Sequence, residues 1–365
     1  MKKIAVFLST SGHSGVDRVA HNLIPELCSL GYSVDLLKVR NHGPYLEFSH
    51  VNYHLVDLGS DSTYGCLPKL VQYLNNVDPD VVFSDKDRVN RTVLLAKFLS
   101  SSSTRLYFSI GTTVSIDLKG RRWLDRTTQR LSIRYLYQYA EKVLVASVGV
   151  KEDLAEYTGL SSMHIQVTPR PVVNSSLFNN QQPLPEHPWF RQKNVKVIIG
   201  VGELSARKNW ATTILAFNEV RKHYSAKLVL IGKGRELDNL QSLVKDLGLT
   251  GDVYFTGFVN NPYPYIQHAD VLAFSSLWEG LGFVLIEALA LGTPVVSSDC
   301  PSGPKEILAN GKYGYLYEPR DHIQMSKCLL SALADHPDKK FLQEGARPYE
   351  VSASAKAYLT TFGLI

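Results

Sequence analysis

The sequence predicts an α/β protein built as two successive domains, each a parallel sheet covered by helices on both faces. Three observations carry that expectation. Short apolar, β-branched runs alternate with amphipathic segments of roughly 10–15 residues, a rhythm that belongs to parallel sheets with crossover helices. The rhythm breaks at 168–190, where prolines 169, 171, 183, 185 and 188 stand among polar residues. It then restarts, and 365 residues leave room for two units of ordinary domain size.

The elements follow in order. Residues 4–8 are an apolar run after Lys2 and Lys3, too short for a signal-peptide core and without a cleavage pattern, so 3–8 read as a first strand. Residues 16–30 repeat apolar side chains at helical period and stop at Gly31. Strands are expected at 33–39 and 51–56, and a helix at 67–75. A strand at 81–84 follows the turn residues Asp78, Pro79 and Asp80, and two more strands fall at 105–110 and 142–145. The second half reads as strand 195–200, helix 209–224, strand 226–232, helix 236–247 and strand 253–256. A short helix at 263–269, strand 271–275, helix 283–291 and strand 294–297 complete it. The expected division is 1–185, then 186–345, then a C-terminal helix within 346–365.

Composition narrows the function. The chain is 44% hydrophobic and 20% charged with a mean hydropathy of −0.08, which excludes collagen-like, coiled-coil and wholly disordered classes. The longest apolar stretches, 195–201 and 283–291, fall far short of the roughly 18–20 residues that cross a bilayer. Four scattered cysteines without a C-x-x-C pair argue against a disulfide framework or structural zinc and fit a reducing cytoplasm. A net charge of +5 is too small to imply nucleic acid unless it is concentrated. It is concentrated in 119–134, KGRRWLDRTTQRLSIR, where six cations meet one acid. Arg122, Arg126, Arg130 and Arg134 stand four apart, as on one helical face, with Trp123, Leu124, Leu131 and Tyr135 as an apolar flank. Such a face suits an anionic headgroup or an acceptor diphosphate, or is simply a solvated helix face. No recognition module for nucleic acid accompanies it.

Two facing α/β domains place the carboxyl ends of their sheets at one cleft, as in a two-domain dehydrogenase or a periplasmic-type binding protein. Motifs must decide among these. Near the first strand, Gly12 and Gly15 open a helix and let the backbone approach a phosphate or sugar, while His13 is a candidate cleft residue. Asp17 and Arg18 read as a solvated first-turn pair. In the second half, Glu279 lies in a glycine-flanked loop ahead of an apolar helix. Gly280 and Gly282 permit tight curvature, so the N–H groups of 282–285 are expected to face outward as an anion or hydroxyl site. Glu287 is a carboxylate in an otherwise apolar helix and must be paired or ligand-bound; two ribose hydroxyls would suit it. Lys208 and Arg207 follow a strand and are the charges a leaving diphosphate needs.

The run from Trp278 to Cys300 resembles the E-x7-E signature of retaining glycosyltransferase family 4, with Glu279 and Glu287 as its glutamates. Residues 202–209 (GELSARKN) are similar to that family's donor-phosphate loop, and 255–259 (FTGFV) to its nucleobase loop. Residues 299–307 and 311–314 resemble the subgroup that builds bacterial surface polysaccharides. The resemblance covers the whole chain and is strongest from 197 to 320. It implies the GT-B fold, two Rossmann-like domains facing a central cleft, and transfer of a hexose or N-acetylhexosamine from a nucleotide diphosphate sugar, UDP-linked, to a glycan or polyprenyl-diphosphate-linked acceptor in cell-surface polysaccharide or lipopolysaccharide synthesis. On that reading Lys208, Arg207 and Glu279 are catalytic. Gly15, Lys208, Phe258, Val259, Gly282, Phe283, Val284 and Glu287 bind the donor. No cofactor or metal is expected. The location implied is cytoplasmic, peripheral on the inner membrane through the four arginines. A non-catalytic nucleotide- or sugar-binding protein on the same fold is the alternative. Two departures stand out: Glu203 replaces the family's usual arginine, and 109–113 (SIGTT) lacks the acceptor-side histidine, whose role passes to Thr112 or Thr113 or is absent.

Overall fold

The computed structural model describes residues 1–10, 12, 14–335 and 337–365; Ser11 and the candidate cleft residue His13 lie outside them. The chain divides into two compact units, Met1–Asn174 with Tyr349–Ile365, and Ser175–Pro348. Each is an α/β layer around its own parallel sheet, as the sequence predicts.

In the first unit the strands are β1 Lys3–Leu8, β2 Ser33–Lys38, β3 Tyr53–Asp57, β4 Val81–Asp85, β5 Arg105–Ile110, β6 Lys142–Val145 and β7 Ile165–Val167. They are ordered β3-β2-β1-β4-β5-β6-β7 and all pair in parallel. Central strands such as β4 are buried along their whole length, because helices cover both faces. The edge strand β3 exposes three of its five residues. The second unit contains β8 Lys196–Val201, β9 Ala226–Ile231, β10 Val253–Gly257, β11 Val271–Phe274, β12 Val295–Ser298 and β13 Tyr315–Tyr317. Their order is β10-β9-β8-β11-β12-β13, again wholly parallel.

Both sheets reverse direction of growth beside their first strand. The reversal falls between β1 and β4 in the first unit and between β8 and β11 in the second. Connections leave such neighbouring strands to opposite sides, which opens a crevice at the carboxyl ends.

The division falls earlier than the expected 185 because helix Ser175–Asn179 joins the second unit. Its Leu177 and Phe178 are buried, and the Gln343 side chain donates to the carbonyls of Phe178 and Ala290, at 2.8 Å each. At the other end the chain returns to the first unit from Tyr349. Helix Val351–Thr361 buries Tyr358 and Leu359, with Phe362 just beyond it. Phe362 packs 4.8 Å from the Tyr107 ring and 5.9 Å from that of Phe83.

Candidate active site

The β8/β11 crevice of the second unit brings Arg207, Lys208 and Glu279 together. The loop after β8 carries Arg207 and Lys208; the loop after β11 carries Glu279. Backbone and hydroxyl contacts stitch the two loops together. Leu277 N–H donates to Arg207 O at 2.8 Å, and Ser275 Oγ donates to Lys208 O at 2.7 Å while accepting from Thr213 Oγ1 at 2.9 Å. That fixes where both cations start from. Lys208 Nζ lies 2.7 Å from Glu279 Oε1, Arg207 lies 2.7 Å from Oε2, and Ser276 Oγ donates to Oε1 at 2.7 Å. Lys208 Nζ also sits 4.8 Å from the Phe274 ring centroid.

Burial by itself would raise the Glu279 carboxyl. The two cations and the hydrogen bonds from Lys208 and Ser276 outweigh it and hold the group below its ordinary value. A cluster of this kind presents two positive heads at a sheet's carboxyl edge, restrained by one buried carboxylate.

Glu287 is buried one turn inside helix Phe283–Leu291, and its Oε1 accepts from Tyr263 OH at 3.1 Å. Gly282 caps that helix at φ +99°, a conformation an L side chain rarely adopts. The helix start differs from expectation in one respect. Leu285 N–H bonds Gly282 O at 3.0 Å, so the N–H groups of 282–285 are not all turned outward; Val284 is buried and Phe283 half-buried. Phe258 and Val259 follow β10, and the Phe258 ring is 62% exposed.

Sequence reading missed the loop after β9. A Cβ on Gly232 would fall 1.9 Å from Gly202 O, so this glycine lets the β9 loop lie directly on the β8 loop. Leu204 N–H then bonds Lys233 O at 2.8 Å, and the exposed Lys233 places its Nζ 5.9 Å from the Phe258 centroid. A Gly-Lys-Gly triplet after a strand was the available signal. Tyr263 had none, since only the fold brings it to Glu287.

Glu203 is exposed and makes no ion pair among the described residues, and Arg207 goes to Glu279 instead of pairing with it. In the first unit Gly15 begins helix Gly15–Ser29. Asp17 is not a solvated partner of Arg18. It is buried, closes a capping box with Ser14, and accepts from Thr10. Thr113 is buried and Thr112 half-buried. The four arginines are less uniform than their spacing suggests, since a step of four advances about 40° around a helix. Arg122 precedes helix Trp123–Leu136, Arg126 is half-buried, and Arg130 lies 5.6 Å over the Tyr157 ring. Trp123, at 70% exposed, with Leu124, Leu131 and Tyr135, forms the outward row. No helix among the described residues is long and apolar enough to cross a membrane.

Two family profiles match in succession, one described as "Glycosyltransferase Family 4" over 13–175 and one as "Glycosyl transferases group 1" over 186–348. A relative from Campylobacter jejuni, an N-acetylgalactosamine-N,N'-diacetylbacillosaminyl-diphospho-undecaprenol 4-alpha-N-acetylgalactosaminyltransferase, is 29% identical over 95% of this chain and 94% of its own. The amylovoran biosynthesis glycosyltransferase AmsD of Erwinia amylovora is 24% identical over 88% of each chain. Among solved structures, Anabaena HepE in complex with UDP superposes with a TM-score of 0.79 at 17% identity, with full coverage of both chains.

Proposed function

The chain belongs to the group 1 and family 4 glycosyltransferases, and from that membership we propose a retaining transferase that uses a UDP-sugar. It moves a hexose or N-acetylhexosamine to a hydroxyl of a glycan or lipid-linked oligosaccharide in surface-polysaccharide synthesis. The observation that carries this reading is the Lys208–Glu279–Arg207 cluster across the β8/β11 crevice, with Glu287 on the helix that follows.

Cleavage of the donor's glycosidic bond leaves negative charge on the diphosphate. Preorganised cations in a partly desolvated crevice stabilise that charge without having to reorganise. Lys208 and Arg207 fill this role, and Glu279 holds them while orienting the donor-sugar hydroxyls. Glu287, backed by Tyr263, takes the ribose hydroxyls, and Phe258 with Val259 lies beside the base. Lys233 adds a third cation to the same edge. The departing phosphate accepts the acceptor's proton, so the residues named include no separate base, and no metal is assigned a step. The names of the Campylobacter and Erwinia relatives support the polysaccharide setting, and the arginine-flanked helix supports work at an anionic membrane surface on the cytoplasmic side.

A panel of nucleotide sugars assayed for nucleotide release without acceptor tests the reading. One UDP-sugar is expected to be hydrolysed, and once a glycan acceptor is added the anomeric proton of the transferred sugar, read by NMR, to keep the donor's configuration. Tight UDP binding with no release from any sugar would instead indicate a binding protein on this fold.

A further inference from the structure

The first unit has its own crevice, between β1 and β4, and one lysine occupies it in an unusual way. Lys86 follows β4 at φ +77° and ψ 137°, a region of backbone space that glycine enters readily and L residues avoid. Its neighbours explain what holds it there. Asp85 is buried and accepts from Ser109 Oγ at 2.5 Å, beside the buried Arg170 at 3.7 Å. Arg170 is itself held by Tyr358 OH at 3.0 Å and Ser109 Oγ at 2.7 Å. On the other side, Asp87 pairs with Arg91 at 2.8 Å and accepts from Tyr137 OH at 3.0 Å. Ser84 donates to the buried Asn90 at 2.7 Å.

Both acids flanking Lys86 are thus committed to the interior, and the backbone between them is forced outward. The exposed Lys86 side chain spans the crevice to the carbonyl of Ser9, 3.2 Å away at the end of β1. It has no ion pair among the described residues. Close by, the Ser9 hydroxyl lies 2.6 Å from His42 Nδ1, placing a hydroxyl and an imidazole at the same edge. An ammonium carried on a strained backbone, with both flanking carboxylates turned away, is a site for an anion.

We infer that Lys86 receives the diphosphate of the acceptor at the β1/β4 crevice of the first unit, an assignment that rests on the transferase reading above. The test titrates geranyl diphosphate, with geraniol as the neutral control, into the full chain saturated with UDP. Wild type is expected to bind the diphosphate and not the alcohol. Lys86→Gln should weaken it by about tenfold or more, the loss of one charge-assisted contact. Lys86→Arg should keep it within about threefold, since the charge remains. Lys86→Gly relaxes the backbone while removing the charge, so binding as weak as that of Lys86→Gln separates charge from strain. Inorganic pyrophosphate should rank the variants in the same order.

Geranyl diphosphate binding that is unchanged in Lys86→Gln, or that UDP abolishes in wild type, would overturn the assignment. Failure of wild type to bind UDP at all would overturn the transferase reading instead, so the two failures are distinguishable.

Discussion

At the scale of single residues the site turns on Glu279, which binds two cations from inside a protein. Its carboxyl is held below the ordinary value of 4.5 in the folded chain. A depressed folded value means the group adds stability above the unfolded value, and loses it as pH falls through the folded one. Urea midpoints of wild type and Glu279→Gln should therefore keep a constant gap from neutral pH to about 5. The gap should close below the ordinary carboxylate range; one that stays constant down to pH 3 would mean Glu279 is not ion-paired. Glu203 makes the opposite case. It is exposed and unpaired among the described residues, beside the cationic loop, so Glu203→Arg should tighten UDP binding by a fewfold at low salt and less at high salt. A tenfold loss would make Glu203 a ligand contact. The sequence announced Glu279, Glu287 and Lys208 because charge in glycine-rich or apolar surroundings is conspicuous. It could not announce that Arg207 would choose Glu279 over Glu203, which depends on how two loops meet.

At the scale of elements, helix Trp123–Leu136 exposes an apolar row beside arginines, and Phe98 and Tyr139 add an exposed edge-to-face pair at 5.3 Å. Facing an anionic bilayer, each arginine near the surface contributes about 1 kcal/mol, an attraction that shortens with the screening length. Co-sedimentation should require anionic lipid, fall sharply with salt, and weaken in Arg122→Gln with Arg126→Gln. Equal binding to neutral vesicles would leave the helix an ordinary solvated face. Legibility varied among elements for a physical reason. Helix Phe283–Leu291 was read to the residue because an apolar run flanked by Gly282 and Gly292 carries its own stop signals. The three-residue strands β7 and β13 escaped because they exist by pairing with β6 and β12, and three residues hold no period. Helix Ser175–Asn179 lay hidden in the proline-rich stretch, since its allegiance comes from Gln343, far along the chain.

At the scale of the whole molecule, two parallel sheets each keep a crevice beside their first strand, and each crevice holds a lysine whose surroundings fix it. The chain's last helix belongs to the first unit, where Tyr358 completes the Arg170 network and Phe362 fills the space between Phe83 and Tyr107. Phe362→Ala should cost about 3–5 kcal/mol in urea unfolding while UDP affinity holds, because the residues proposed to hold the donor lie in the other unit. A loss below about 1 kcal/mol would mean the tail is not part of that core.

The proposed function requires the second unit to bind a nucleoside diphosphate through Lys208 at the phosphates and Glu287 at the ribose. Calorimetric titration of UDP and of uridine against wild type, Lys208→Ala and Glu287→Gln tests it most directly. Lys208→Ala should weaken UDP and leave uridine nearly unchanged, whereas Glu287→Gln should weaken both by about 1.5–3 kcal/mol. Wild-type affinity for UDP in both variants would contradict the account.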